Sequence, residues 1–353
     1  MDVIQNVIAG ISCLDLEVME KTQQRLDGLT KPQGSLGRLE ELAKQICGIT
    51  GQENPRLRDK VIFTLAADHG VVAEGVSAYP QEVTAQMVYN FLSGGAGINV
   101  LAAHSGARVV VVDVGVAVDL KPHLGLKVKK INYGTKNMST GPAMTRDEAV
   151  RSVGCGMEIF EDELKRGVDA AGTGEMGIGN TTSASAIAAV FTGKPVRDLT
   201  GRGTGLDDKA LKKKINVIKR SLDINRPDAS DPIDVLSKVG GFEIGALTGI
   251  ILAAAFRKKP VVIDGFISGA AALLAFHLQP KIKEYLIAAH NSVESGHGII
   301  LKHMGLKPLL DLELRLGEGT GAALGLGLLE ASVKILTQMA TFKNAHVSER
   351  TDD

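Results

Sequence analysis

Four short runs rich in β-branched residues, at 61–65, 108–114, 168–171 and 260–263, are set apart by segments long enough to be helices. Parallel neighbours in a sheet need a crossover of about a dozen residues or more, so this alternation predicts parallel strands joined by helices. The stretch 109–112 is apolar without alternation, as expected of a strand covered on both faces. Helical patterns fall at 81–92, 145–166, 182–191, 207–222 and 242–257. Ahead of the first strand, Val3, Ile4, Val7, Ile8, Ile11 and Leu14, and then Leu36, Leu39, Leu42 and Ile46, recur at helical spacing. Two helices are therefore expected to open the chain, with Pro32 and Gly34 between them and Ser35 as the second helix's N-cap. A further helical run covers 322–342. The expected fold is α/β, with a doubly wound, mainly parallel sheet. Residues 59–319 are expected to form the α/β nucleotide-binding domain, and 1–58 with 320–353 a smaller helical domain.

Charge narrows the partners. Lys plus Arg and Asp plus Glu are equal at 40 each, so no field of either sign gathers phosphate backbones or acidic membranes. Trp is absent, and nine Phe with four Tyr are too few for base-stacking platforms. Nucleic acid and membrane are both expected to be absent as partners. Cys13, Cys47 and Cys155 are odd in number and far apart, which fits a reducing compartment better than a disulfide framework. The apolar stretch 244–256 is shorter than the ~18 to 20 residues that span a bilayer. The N-terminus lacks a signal-peptide pattern, and a cytoplasmic protein is expected.

Glycine supplies 41 of 353 residues, about 12% against an ordinary ~7%. Three glycine-rich stretches each precede an expected helix. In 172–182, Gly172, Gly174 and Gly177 have dinucleotide-fingerprint spacing, and backbone N–H groups at a helix start can receive a phosphate. A strand-to-helix turn needing glycine freedom explains the same spacing. The stretch 201–205 precedes Asp207, a good N-cap, and a helix carrying Lys214. Two glycine loops after separate strands would face one crevice at the strand ends. The third, 316–324, holds Glu318 between glycines at the head of an apolar helix. That carboxylate either complements the helix dipole or serves as a base that a flat ligand can approach. Asp68 with His69, and His290 with His297, are weaker candidates: no second histidine at ligand spacing accompanies His69, and no GxSxG elbow occurs. On the residues alone, a nicotinamide-dependent dehydrogenase and a non-catalytic nucleotide sensor remain open beside a transferase.

The strings LTKPQGSLGRLE (29–40), AADHGV (66–71), YPQEVT (79–84), GTGEMGIGNTTSASA (172–186), IDVLSKVGGFE (233–243), VVIDGF (261–266) and RLGEGTGAAL (315–324) together resemble the nicotinate-nucleotide:dimethylbenzimidazole phosphoribosyltransferases. The likeness runs from about residue 29 to 336. It implies transfer of the phosphoribosyl group of nicotinate mononucleotide to 5,6-dimethylbenzimidazole with inversion, in assembly of the lower nucleotide loop of cobalamin. It further implies a homodimer and a reaction that needs no cofactor and no metal. By the same likeness Glu318 matches the family's general base, and Glu175, Gly177, Gly203, Lys214, Asp264 and Ser292 match positions around the substrates. Glycine amides, Ser292 and Lys214 suit the phosphate, and Asp264 suits ribose hydroxyls. Glu175 is left as either a sugar ligand or a second carboxylate, and either Gln86 or Met87 as the residue facing the acceptor ring.

Overall fold

The computed structural model describes residues 2–203 and 205–348. Six strands form one wholly parallel sheet: β1 (Lys60–Ala67), β2 (Ala107–Gly115), β3 (Leu126–Val128), β4 (Ala170–Met176), β5 (Val261–Ile263) and β6 (Leu286–Ala288). Their order across the sheet is β3-β2-β1-β4-β5-β6. The chain winds outward from β1 to one edge, returns to β4, and winds to the other edge. The reversal leaves a crevice beyond the C-terminal ends of β1 and β4, which is where doubly wound sheets place ligands.

Side chains alternate across the strands, and each face packs its own core. Val61, Phe63 and Leu65 of β1 lie against Val153 and Phe160 of the helix Arg146–Leu164 and Leu247 of the helix Phe242–Phe256. Ile62 and Ala66 point the other way, onto Phe91 of Val83–Ser93, Ile98 of Gly97–Ser105 and Leu326 of Thr320–Gln338. The last of these helices is long and apolar enough by composition to cross a membrane. Its Ala322, Leu326 and Leu329 instead pack on Ile62, Ala170 and Val262 of the sheet. A third cluster, Leu26, Leu29, Ala43, Cys47 and Leu336, joins both ends of the chain.

Several boundaries differ from the sequence expectation. Three helices precede β1, Asp2–Gly10, Leu16–Asp27 and Arg38–Thr50, because Asp15 caps a helix whose apolar spacing is weak; its side chain accepts from the Val18 N–H. Gly37, at φ 50°, stands at the N-cap where Ser35 was expected, and the Glu40 carboxylate satisfies the Leu36 N–H instead. The strands β3 and β6, of three residues each, are too short to show a pattern. The last long helix stops at Gln338, where Met339 turns extended. The largest shift concerns β4: it runs to Met176, so Gly172 and Gly174 are strand residues and not loop residues.

Candidate active site

The site is built around a strained turn. Gly317, Glu318 and Gly319 all take the left-handed conformation, at φ 82°, 65° and 101°. For Glu318, which has a Cβ, that geometry costs roughly 1–2 kcal/mol. Hydrogen bonds from three elements hold it. Thr64 Oγ1 of β1 donates to the Glu318 carbonyl at 2.9 Å. Asp264, just after β5, accepts from the Gly319 N–H at 3.3 Å and the Ala322 N–H at 3.0 Å. The Glu318 carboxylate accepts from the Ile98 N–H at 3.0 Å, at the start of the helix Gly97–Ser105. The dipole it meets is thus that of another helix, not of the one it precedes.

This turn lies directly on β4 and accounts for the strand's glycines. A Cβ at Gly174 would stand 2.2 Å from the Glu318 carbonyl oxygen, and one at Gly172 would press on Ile62 and Ala322 at 3.2 and 3.3 Å. The spacing that looked like a dinucleotide fingerprint is a packing requirement, and it removes the observation behind the dehydrogenase reading.

Glu175 stands one residue before the end of β4, beside the turn; a Cβ at Gly317 would come within 2.4 Å of its Oε1, and Asn180 Nδ2 donates to its Oε2. Three carboxyl groups, Glu175, Asp264 and Glu318, are buried together. Burial pushes Glu175 up to about 8, helped by the nearby charges of Asp264, Glu243 and Glu318 and opposed by the Asn180 amide. Burial also lifts Asp264 to about 7 against several backbone N–H donors. Glu318 is raised by burial too, with the Ile98 N–H opposing and Asp264 adding to the rise. Burial thus favours the neutral form of all three carboxyl groups.

A cavity of ≈ 550 Å³ opens from this group along the ends of β4 and β5, a size suited to a small-molecule ligand. At its near end stand Glu175, Met176 and Gly317, with Tyr79 and Leu316 as apolar walls. At its far end lie the 177–179 loop and the start of the helix Asn180–Thr192, whose positive end suits an anion; the Ile178, Asn180 and Thr182 N–H groups there already donate to Thr84 Oγ1 and to the Gly177 and Gly179 carbonyls. Gly203 borders that end, although the 201–205 stretch follows the short helix Val196–Leu199 and not a strand. Lys214 lies just behind, fully buried, its Nζ donating to Thr181 Oγ1 at 2.7 Å. Burial lowers its ammonium to about 8, with the Glu294 charge opposing.

Ser292 borders the cavity, donating its hydroxyl to the Leu314 carbonyl at 3.1 Å. Asp264 gives its oxygens to the backbone of the strained turn. Gln86 is exposed and Met87 half-buried on the helix Val83–Ser93, and neither borders the cavity. His290 does border it, 3.8 Å from Asp264, while His297 lies beneath and accepts from the Ser292 N–H at 3.0 Å. Sequence reasoning missed Asn180, Thr181, Glu294 and Arg315. Asn180, Thr181 and Arg315 lie inside the strings of the family likeness. Glu294 carries no local signal, because only the fold brings it to the cavity.

A family model described as phosphoribosyltransferase matches residues 11–347. A nicotinate-nucleotide--dimethylbenzimidazole phosphoribosyltransferase of Desulforudis audaxviator is 59% identical over 353 residues, covering 100% of both chains. The counterpart of Geobacter metallireducens is 56% identical over 352 residues, again covering 100% of both. The crystal structure of CobT from Thermus thermophilus superposes with a TM-score of 0.91 at 46% identity, covering 95% of this chain and 100% of that one. The chain belongs to this phosphoribosyltransferase family.

Proposed function

We propose that the protein transfers the phosphoribosyl group of nicotinate mononucleotide to 5,6-dimethylbenzimidazole, giving nicotinate and α-ribazole 5'-phosphate for the lower nucleotide loop of cobalamin. The observation that carries this reading is one cavity with Glu175 on its wall and the buried Asp264 and Glu318 beside it at one end, and a helix N-terminus backed by Lys214 and Glu294 at the other. The phosphate belongs at the helix N-terminus, where Gly177, Gly203 and Lys214 gather, with Ser292 on the opposite wall. The cationic pyridinium ring and the sugar then lie toward the carboxyl groups.

In the reaction one benzimidazole nitrogen donates its lone pair to the anomeric carbon from the face opposite nicotinate. The bond from that carbon to the pyridinium nitrogen breaks, and its electron pair neutralises the leaving ring. Positive charge passes through the sugar to the acceptor ring, which loses the proton on its second nitrogen to the Glu318 carboxylate. Glu175 stabilises the charge as it crosses the sugar, so its carboxyl must give up a proton when the cationic donor binds. Asp264 acts by fixing the turn that aims Glu318. Tyr79, Met176 and Leu316 offer the apolar walls for the flat acceptor, in place of Gln86 and Met87.

We also propose a cytoplasmic homodimer. The unpaired cysteines suit a reducing compartment, and the exposed Val3 and Leu16 leave apolar surface on the N-terminal helices for a two-fold contact. The pairing of the ends 1–58 and 320–353 beside 59–319 is supported by the cluster that joins Leu26 and Leu29 to Leu336, while Ala322, Leu326 and Leu329 tie the last long helix to the sheet.

The test is to incubate purified protein with nicotinate mononucleotide and 5,6-dimethylbenzimidazole and to assay both products by chromatography and mass. Equal amounts of nicotinate and α-ribazole 5'-phosphate are expected. Transfer only to a purine or a phenol would replace the acceptor, and no transfer to any base, with nucleotide still bound, would leave a sensor.

A further inference from the structure

Two strings of the family likeness, 66–71 and 233–243, place no side chain on the cavity wall, yet they meet beneath it. His69 Nε2 lies 2.7 Å from Glu243 Oε1, and both side chains are almost completely buried. The other ring nitrogen, Nδ1, lies 3.1 Å from the hydroxyl of Ser183, in the first turn of the helix Asn180–Thr192. That helix start is the one at which the phosphate is placed.

His69 also touches the loop in front of it. A Cβ at Gly177 would meet His69 Cδ2, and one at Gly179 would meet His69 Cβ, each at 3.4 Å. Behind the ring, a Cβ at Gly241 would stand 2.4 Å from His69 Cε1 and 2.7 Å from Glu243 Oε2. His69 thus touches the loop on one side and Gly241 on the other, and the loop is limited most closely by the Ala67 carbonyl, 2.4 Å from a Cβ at Gly177, and by Val72 Cγ2, 2.7 Å from one at Gly179.

The protons can be placed from the partners. Ser183 Oγ donates to the Gly240 carbonyl at 3.3 Å, so His69 Nδ1–H donates to Ser183 Oγ. One further proton lies between Nε2 and Glu243 Oε1, which leaves the pair neutral overall. A clamp of this kind ties the phosphate-binding helix to the start of the helix Phe242–Phe256 without adding net charge next to Glu175.

We propose that His69 and Glu243 are positioning residues for phosphoribosyl transfer, fixing through Ser183 and the 177–179 loop the helix N-terminus that holds the nucleotide's phosphate. The inference rests on the reaction proposed above. It is tested by kinetics in both substrates and by calorimetric binding of nicotinate mononucleotide, with thermal melting as the control for folding. Ser183→Ala and His69→Ala are expected to raise KM and Kd for the nucleotide roughly tenfold, leaving kcat and the KM for the benzimidazole unchanged. Glu243→Gln is expected to keep the wild-type constants, because its amide can donate to Nε2, whereas Glu243→Ala should behave like His69→Ala. Unchanged nucleotide affinity in Ser183→Ala and His69→Ala overturns the proposal, as does a fall in kcat with affinity retained. If His69→Ala does not fold, Ser183→Ala and Glu243→Gln, which remove or exchange single atoms, decide the matter. Should the wild type transfer to no base, the reaction is lost, and the nucleotide Kd series still decides on the clamp.

Discussion

Glu318 occupies a backbone region that side chains avoid, between two glycines in the same region, with its carboxylate anchored on the Ile98 N–H. Strain of this kind persists only where the surroundings over-determine it, and here Thr64 and Asp264 do so from two strands. The result is a buried carboxylate with one oxygen committed to the Ile98 N–H, next to Gly317 on the cavity wall. Glu318→Gln keeps the shape and the bond to Ile98 but cannot take a proton. Its transfer rate is expected to fall by ~10²- to 10⁴-fold, the ordinary worth of a general base, while calorimetry returns an unchanged nucleotide affinity. A full rate in this variant would remove Glu318 from the chemistry. Because burial raises this carboxyl from its usual 4.5, the acid limb of the wild-type rate profile is expected above that pH, where the group ionises.

At the scale of elements, β4 makes the least expected contribution. Its glycines sit in mid-strand because the backbone of the 317–319 turn passes across them, closest at Gly174. Gly174→Ala must push the Glu318 carbonyl away, which loosens the turn; a stability loss on the order of 2–3 kcal/mol and a large loss of transfer are expected. Gly172→Ala meets only side chains, at 3.2 to 3.3 Å, which must give by a few tenths of an ångström, and its denaturation midpoint should fall by clearly less than that of Gly174→Ala. Dinucleotide binding would reverse that ranking, since the first glycine of such a fingerprint makes its tight turn. Comparing the two denaturation curves separates these explanations.

The same strand shows what the sequence could and could not reveal. Apolar runs gave the presence of β1, β2, β4 and β5 because buried parallel strands have a composition of their own. The end of β4 was hidden because its last residues, Gly172 to Met176, have glycine and polar side chains chosen for a neighbour that arrives only much later in the chain, at Glu318. Glu318 was legible as a carboxylate between glycines, and Asp207 as an N-cap, since both signals are local. Glu294 and the pairing of His69 with Glu243 were not, because their partners are supplied by topology.

On the scale of the whole molecule, the site is a store of withheld charge that should appear in the pH dependence of stability. Glu175 holds its proton to about 8 in the folded protein against an ordinary 4.5. Between those values the folded state binds more protons than the unfolded state, so stability falls as pH rises and levels off above 8. Asp264 acts in the same sense between 3.8 and about 7. His297, lowered to about 3 by burial, acts in the opposite sense below its usual 6.5, and Lys214, lowered to about 8, does so from there up to 10.5, which leaves about 7 to 8 as the window in which Glu175 dominates. Glu175→Gln removes this term while keeping a group that can hydrogen bond with Asn180. Its stability relative to wild type is expected to grow by on the order of 1 kcal/mol across that window, measured by urea denaturation at each pH. Parallel profiles for the two proteins would mean that Glu175 is already ionised in the empty site. Saturating nicotinate mononucleotide should flatten the wild-type decline, because the cationic ring favours the ionised carboxylate, and its binding should release a proton near neutral pH, readable as a dependence of the calorimetric heat on buffer.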